Sequence, residues 1–159
     1  LLDMSVEGRD IGDTIKMPSS GGRVQVKAVA ESAWNLGKIE IVLNGRVVAS
    51  EGAQRGAQKL SVSAKVKVPG SGWIAARCDG VTGSPAHYMA AHTSPVYLDC
   101  GGQMPYDGPA LEHMLNLTQG GIEYLDTLST RFDDREQERM IRIYRDVESH
   151  LRKRADQQR

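Results

Sequence analysis

The stretch Lys38-Ile39-Glu40-Ile41-Val42-Leu43-Asn44-Gly45-Arg46-Val47-Val48-Ala49 decides how the first two thirds of this chain is read. Ile39, Ile41 and Leu43 alternate with Lys38 and Glu40. A strand shows that period of two when one face is buried and the other is wet. Asn44-Gly45 then supplies the two positive-φ positions of a type I′ hairpin turn. The stretch predicts a hairpin with Ile39, Ile41 and Leu43 in the core and Glu40 on the wet face. Replacing Glu40 should then cost far less than truncating Ile41.

The same period extends outward. Leu2, Met4 and Val6 open the chain; Val24, Val26 and Ala28 alternate with Arg23, Gln25 and Lys27. Leu60, Val62, Ala64, Val66 and Val68 alternate with Ser61, Ser63, Lys65 and Lys67. Pro18–Gly22 and Pro69–Gly72 carry turn residues. Glu51–Gln58 has two glycines and no period and reads as a loop, as does Asp79–Pro85, which lies between a strand at Trp73–Cys78 and a last strand near His92–Asp99. About seven or eight short strands at regular spacing predict an immunoglobulin-like antiparallel β-sandwich over residues 1–103, with a small barrel as the alternative. The Cys…Trp…Cys pattern of true immunoglobulin domains is missing, and Trp34 and Trp73 are expected to plug the core or its edge.

Beyond Gly101-Gly102 the period changes, and residues 104–159 read as a C-terminal α-helical hairpin. Gly108-Pro109 sets proline in a first helical turn, and Leu111, Leu115, Ile122 and Leu125 line one face, with Met114 and Leu128 beside it. Gly120-Gly121 is expected to bend or split this helix. After a turn near Ser129–Asp133, a final helix from about Asp134 to Arg154 carries the stripe Met140, Tyr144, Val147 and Leu151. Its acids come first and its bases last, in keeping with the helix macrodipole.

The chain has 159 residues, with 20 Lys and Arg against 20 Asp and Glu. That balance counts against a nucleic-acid binder, which carries a basic excess. No apolar run approaches the ~20 residues of a membrane span. The sparse aromatics, 5 %, count against a sugar-stacking surface.

Candidate chemistry is thin. His87 and His92 stand five apart, so on one strand they point to opposite faces. His113 and His150 fall on different helices without a partner three or four residues away, so no metal-ligand set emerges. Ser94 and Cys78 are the best-placed nucleophiles by position, but neither lies in a glycine-flanked strand–turn–helix elbow. Cys78 and Cys100 are too few for a disulfide framework and read as free thiols. Gly8-Arg9-Asp10-Ile11-Gly12 lacks the lysine and following helix of a phosphate loop and reads as a tight turn. The basic residues from Arg139 to Arg159 read as a solvated face. No catalytic, cofactor-binding or metal-ligating residue is assigned.

Several strings in order resemble the C-terminal region of CehA/McbA-type metal-dependent hydrolases, relatives of the PHP-domain phosphoesterases. They are Gly22–Ser32, Ile39–Val48, Gly72-Trp73-Ile74-Ala75-Ala76-Arg77, Ala91-His92-Thr93-Ser94-Pro95-Val96-Tyr97, and the arginine- and glutamate-rich tail Arg131–Arg154. The resemblance implies a non-catalytic accessory domain that docks on and stabilises a catalytic domain. That domain would hold the divalent metal, and no cofactor falls on this chain. A periplasmic or secreted setting goes with it. The chain opens mid-pattern at Leu1, as a piece with an upstream portion absent would. The alternative is a free-standing β-sandwich module binding carbohydrate or protein. Expected partners are the parent's catalytic domain and a second copy of the chain, with neither nucleic acid nor membrane involved. The terminal hairpin is too apolar to stand unpartnered.

Overall fold

The structure is a computed structural model that describes residues 1–81, 89–102, 107–129 and 132–156. Its strands are β1 (Leu2–Val6), β2 (Thr14–Met17), β3 (Gly22–Leu43), β4 (Arg46–Val68), β5 (Gly72–Gly80), β6 (Ala90–His92) and β7 (Val96–Cys100). Two helices follow, α1 (Gly108–Thr127) and α2 (Asp134–Asp156). The chain divides into two compact units, Leu1–Pro105 and Tyr106–Arg159.

All seven strands belong to one mixed, curled sheet, a half-barrel. Its path runs β1-β3-β5-β7-β2, with β4 on β3 and β6 on β5. This corrects the expected antiparallel β-sandwich: there are not two packed sheets, and β2 runs parallel to β7. The physical reason lies in β3 and β4, 22 and 23 residues long. Where alternation lapses, at Glu31–Gly37 and Glu51–Gln58, the chain stays extended, and the β3–β4 ladder shifts register between Glu31 and Leu36 and again before Lys38. Such bulges bend a strand and raise its twist. The first half of β3 pairs with β1 and the second half with β5. One bent sheet therefore folds its apolar face inward upon itself and encloses a core without a second layer. Asp79 and Gly80 likewise belong to β5, and Pro85 lies outside the described residues.

The inner face holds Met4, Val6, Val24, Val26, Ile39, Ile41, Ile74, Val96 and Leu98, all essentially buried. The Asn44-Gly45 turn forms with both residues at positive φ, 48° and 82°. The Asn44 carboxamide oxygen accepts the Trp73 amide at 2.8 Å, which ties the hairpin tip to the start of β5. Trp34 does not plug the core; it is 58 % exposed.

In the second unit, Asp107 caps α1 by accepting the Ala110 amide at 3.0 Å, with proline in the first turn. Asp133 accepts the Glu136 amide at 2.8 Å at the head of α2. The two helices run antiparallel: Gln137 donates to the Leu125 carbonyl, Gln119 reaches Glu148, and Gly121 abuts Tyr144. Leu125 and Thr118 are buried in α1, with Leu111, Leu115 and Ile122 partly so. Met140, Tyr144 and Leu151 are partly buried on α2, while Val147, expected in the same stripe, stands 42 % exposed and off the seam.

Gly120-Gly121 does not split α1, which is continuous. Gly121 is small because the Tyr144 ring lies where its Cβ would stand, whereas nothing lies near a Cβ at Gly120. Gly→Ala in a helix interior ordinarily gains about 0.5–1 kcal/mol. Gly120→Ala should show that gain in thermal melts of the helical circular dichroism signal. Gly121→Ala should instead lose about 1–2 kcal/mol, because Tyr144 must move off its packing position. Equal responses at the two positions would contradict this helix pairing.

Candidate functional site

The outward face of the sheet carries a cluster of charged and aromatic side chains that cross-strand pairing brings together. On β5 the inward set is Ile74, Ala76 and Cys78, so Trp73, Ala75 and Arg77 face out. Register sets Trp73 opposite Tyr97 of β7 and Arg77 opposite His92 of β6. On the other side Val42 and Glu40 of β3 stand opposite Ala75 and Arg77. The result is a groove of about 660 Å³ floored by Val42 and Ala75, with Trp73 and Tyr97 at one end and Arg77 and His92 at the other.

The segment between β6 and β7 forms the groove wall, and Thr93 fixes it. This residue is buried, donates its amide to the Ala76 carbonyl at 2.9 Å and accepts the Ala76 amide on Oγ1 at 3.1 Å. Both backbone groups of Ala76 are thus satisfied where β6 ends and β7 has not begun. Pro95 follows, and its carbonyl accepts the Gly12 amide at 2.8 Å. A proline is tolerated there because that position lies outside the ladders.

Glu40 is the unexpected member. The alternation placed it on a wet face, yet it is only 7 % exposed. Arg77 Nε donates to Glu40 Oε2 at 2.6 Å and Lys38 Nζ to Oε1 at 3.1 Å. Lys38 also reaches Asp79 at 3.4 Å. Burial pushes the Glu40 carboxyl up, but the hydrogen bonds and charges of Arg77 and Lys38 outweigh it and hold the group below its ordinary value of 4.5. A carboxyl depressed in the folded state contributes stability that is present above its unfolded value and lost as pH falls through the folded one. Urea melts below about pH 4.5 should therefore show a loss that Glu40→Gln lacks. An identical acid slope in the variant would remove Glu40 from the account.

His92 is exposed on the groove rim, with Nδ1 3.3 Å from the Thr93 carbonyl; His87 lies outside the described residues. His113 and His150 are exposed, on α1 and α2, and His150 Nδ1 lies 2.7 Å from the Asp146 carbonyl. Among the described residues no group of three or more His, Cys, Asp or Glu could hold a metal ion. Ser94 is exposed on the groove wall, with no hydrogen bond to a base. Cys78 and Cys100 are free and buried. Burial pushes the Cys78 thiol up, away from the reactive thiolate. Gly8–Gly12 runs through two turns, one closed by the Arg9 amide on the Val6 carbonyl at 2.8 Å and one by the Asp13 amide on the Asp10 carbonyl at 3.2 Å, and a short strand follows. On α2, Glu148 accepts from Arg152 at 2.7 Å, and Arg159 lies outside the described residues.

The groove residues Val42, Trp73, Ala75 and Tyr97 and the Glu40–Arg77 pair were not legible as a set. One signal was present: both parities of Trp73–Cys78 contain apolar residues, so that strand has no purely wet face. No helix in the described residues is long and apolar enough to cross a membrane. No family model, curated protein or solved structure matches the chain.

Proposed function

We propose that this chain is a non-catalytic accessory module of a metal-dependent hydrolase of the CehA/McbA type, docking on that enzyme's catalytic domain through the Trp73–Tyr97 groove and stabilising it. The observation that carries the reading is the groove's chemistry. Its floor is apolar, its aromatic pair is partly exposed, and its arginine, Arg77, is tied to Glu40, which also accepts from Lys38. Glu40, tied in that way, is not free as a general base, and Ser94 on the wall has no base bonded to it. The groove does offer an apolar surface beside a polar rim, the ordinary anatomy of a protein interface. The ordered strings that resemble the hydrolase C-terminal region supply the identity of the partner. In this reading the divalent metal belongs to the catalytic domain, and this chain carries no step of its chemistry.

Elemental analysis and a phosphoesterase assay of the purified chain test the non-catalytic part. The expectation is no stoichiometric metal and no hydrolysis. Tightly held zinc, manganese or iron in stoichiometric amount would overturn it.

One observation favours a second reading. Trp73 and Tyr97 are cross-strand neighbours on an open face, an arrangement on which a sugar ring could stack. Glycan titration followed by tryptophan fluorescence separates the two. Saturable quenching that Tyr97→Ala removes would select the carbohydrate module.

A further inference from the structure

Six large apolar side chains of the helix pair stand 42–70 % exposed: Met114, Leu117, Tyr124 and Leu128 from α1 or its end, and Ile143 and Val147 from α2. They do not form the seam between the helices, which uses Leu111, Leu115, Ile122 and Leu125. In α1 the exposed set has its own order. Met114, Leu117, Tyr124 and Leu128 are spaced three, seven and four, the intervening heptad position falling on Gly121, which packs on Tyr144 in the seam. That is the 3.5-residue repeat of a helix that packs along another helix. On a wheel of 100° per residue the repeat lies about 100° round from the seam. Ile143 and Val147 lie about 90° round from the α2 seam, and because the helices are antiparallel both offsets point to the same side. The antiparallel pairing of Gly121 with Tyr144 and Gln119 with Glu148 sets Leu117 level with Val147.

We infer that this face is a dimerisation surface, and that its occupant is the same helix pair of a second copy, forming a two-fold four-helix bundle. The heptad spacing calls for helices, and the helix pair of a second copy brings the same spacing to the contact. The area is sufficient: six half-exposed large side chains offer roughly 600 Å² per copy, about 1,200 Å² in all, the lower bound of specific interfaces. Charge does not oppose the contact. The three acids of α1, Glu112, Glu123 and Asp126, lie on the far side of that helix, and α2 sets one acid and one base, Glu136 and Arg154, in line with Ile143 and Val147, so two copies meet without a like-charge excess. An isologous contact of this kind closes at two copies.

Sedimentation velocity of the full chain at about 1–100 µM tests this. The expected result is a dimer that Leu117→Glu converts to monomer, with helical circular dichroism and the sheet's melting unchanged. Should the glutamate variant lose helix, Leu117→Ala trims the face with a better helix former, and the dimer should weaken about tenfold or more. Asn116→Glu, exposed and outside the heptad positions, should leave the dimer intact. A wild-type chain that stays monomeric throughout overturns the inference, whether the face is then bare or covered by the chain's own sheet. A dimer untouched by Leu117→Glu and Leu117→Ala overturns it as well.

Discussion

Ile41→Ala should destabilise the chain by about 2–5 kcal/mol, read as a fall in the urea midpoint with an unchanged slope. Ile41 is fully buried at the centre of the half-barrel, and its register neighbours are Ala49 on β4 and Ala76 on β5. Two alanines flanking the site leave little side chain that could collapse into the space, which argues for the upper part of the range. Glu40, the adjacent residue on the opposite face, is not a cheap position. Glu40→Ala strips Arg77 and Lys38 of a shared acceptor, and a lost charged hydrogen bond of that kind costs about 1–3 kcal/mol. The inexpensive control is Ser50, exposed and opposite Glu40 on β4; Ser50→Ala should change stability by less than about 0.5 kcal/mol. If Ile41→Ala cost no more than Ser50→Ala, the inward register of β3 would be wrong.

Gly21→Ala should cost about 2–4 kcal/mol. Gly21 has φ of +74°, in the left-handed region where any Cβ is strained. An added Cβ would also fall on the carbonyl oxygen of Val68, the last residue of β4, and a backbone oxygen cannot rotate away. The Gly22–Val68 pair begins the long β3–β4 ladder, so any shift that relieves the clash opens that ladder from its end. Gly8 isolates the steric part. It has the same φ of +74° but open space around its Cβ position. Gly8→Ala should therefore cost only the left-handed strain of about 1–2 kcal/mol. Equal losses at Gly8 and Gly21 would show that the approach to Val68 is not tight in solution.

The faces of the strands were legible in the sequence because alternation states which side chains share a side, and Asn44-Gly45 marked its turn outright. The layering was not. Alternation says that a strand has a dry face but not what dries it, and a curled single sheet presents the same pattern as a sandwich. The lapses at Glu31–Gly37 and Glu51–Gln58 look like loops in one dimension, while in space they are bulged, continuous strand. The groove was illegible for a related reason. Glu40 and Arg77 are 37 residues apart and meet only through the β3–β5 register. On the helices, the seam at Leu111, Leu115, Ile122 and Leu125 was legible from its period. Of the exposed face beside it only Met114 and Leu128 stand out in the sequence, because two apolar stripes on one helix blur each other's period.

Sedimentation velocity of the chain mixed with a CehA/McbA-type catalytic domain tests the docking role most directly. A boundary at the combined mass is expected, lost when Trp73 and Tyr97 are both changed to Ala and retained in Leu117→Glu. Two boundaries that sediment independently at every concentration, or a complex indifferent to Trp73 and Tyr97, would contradict it.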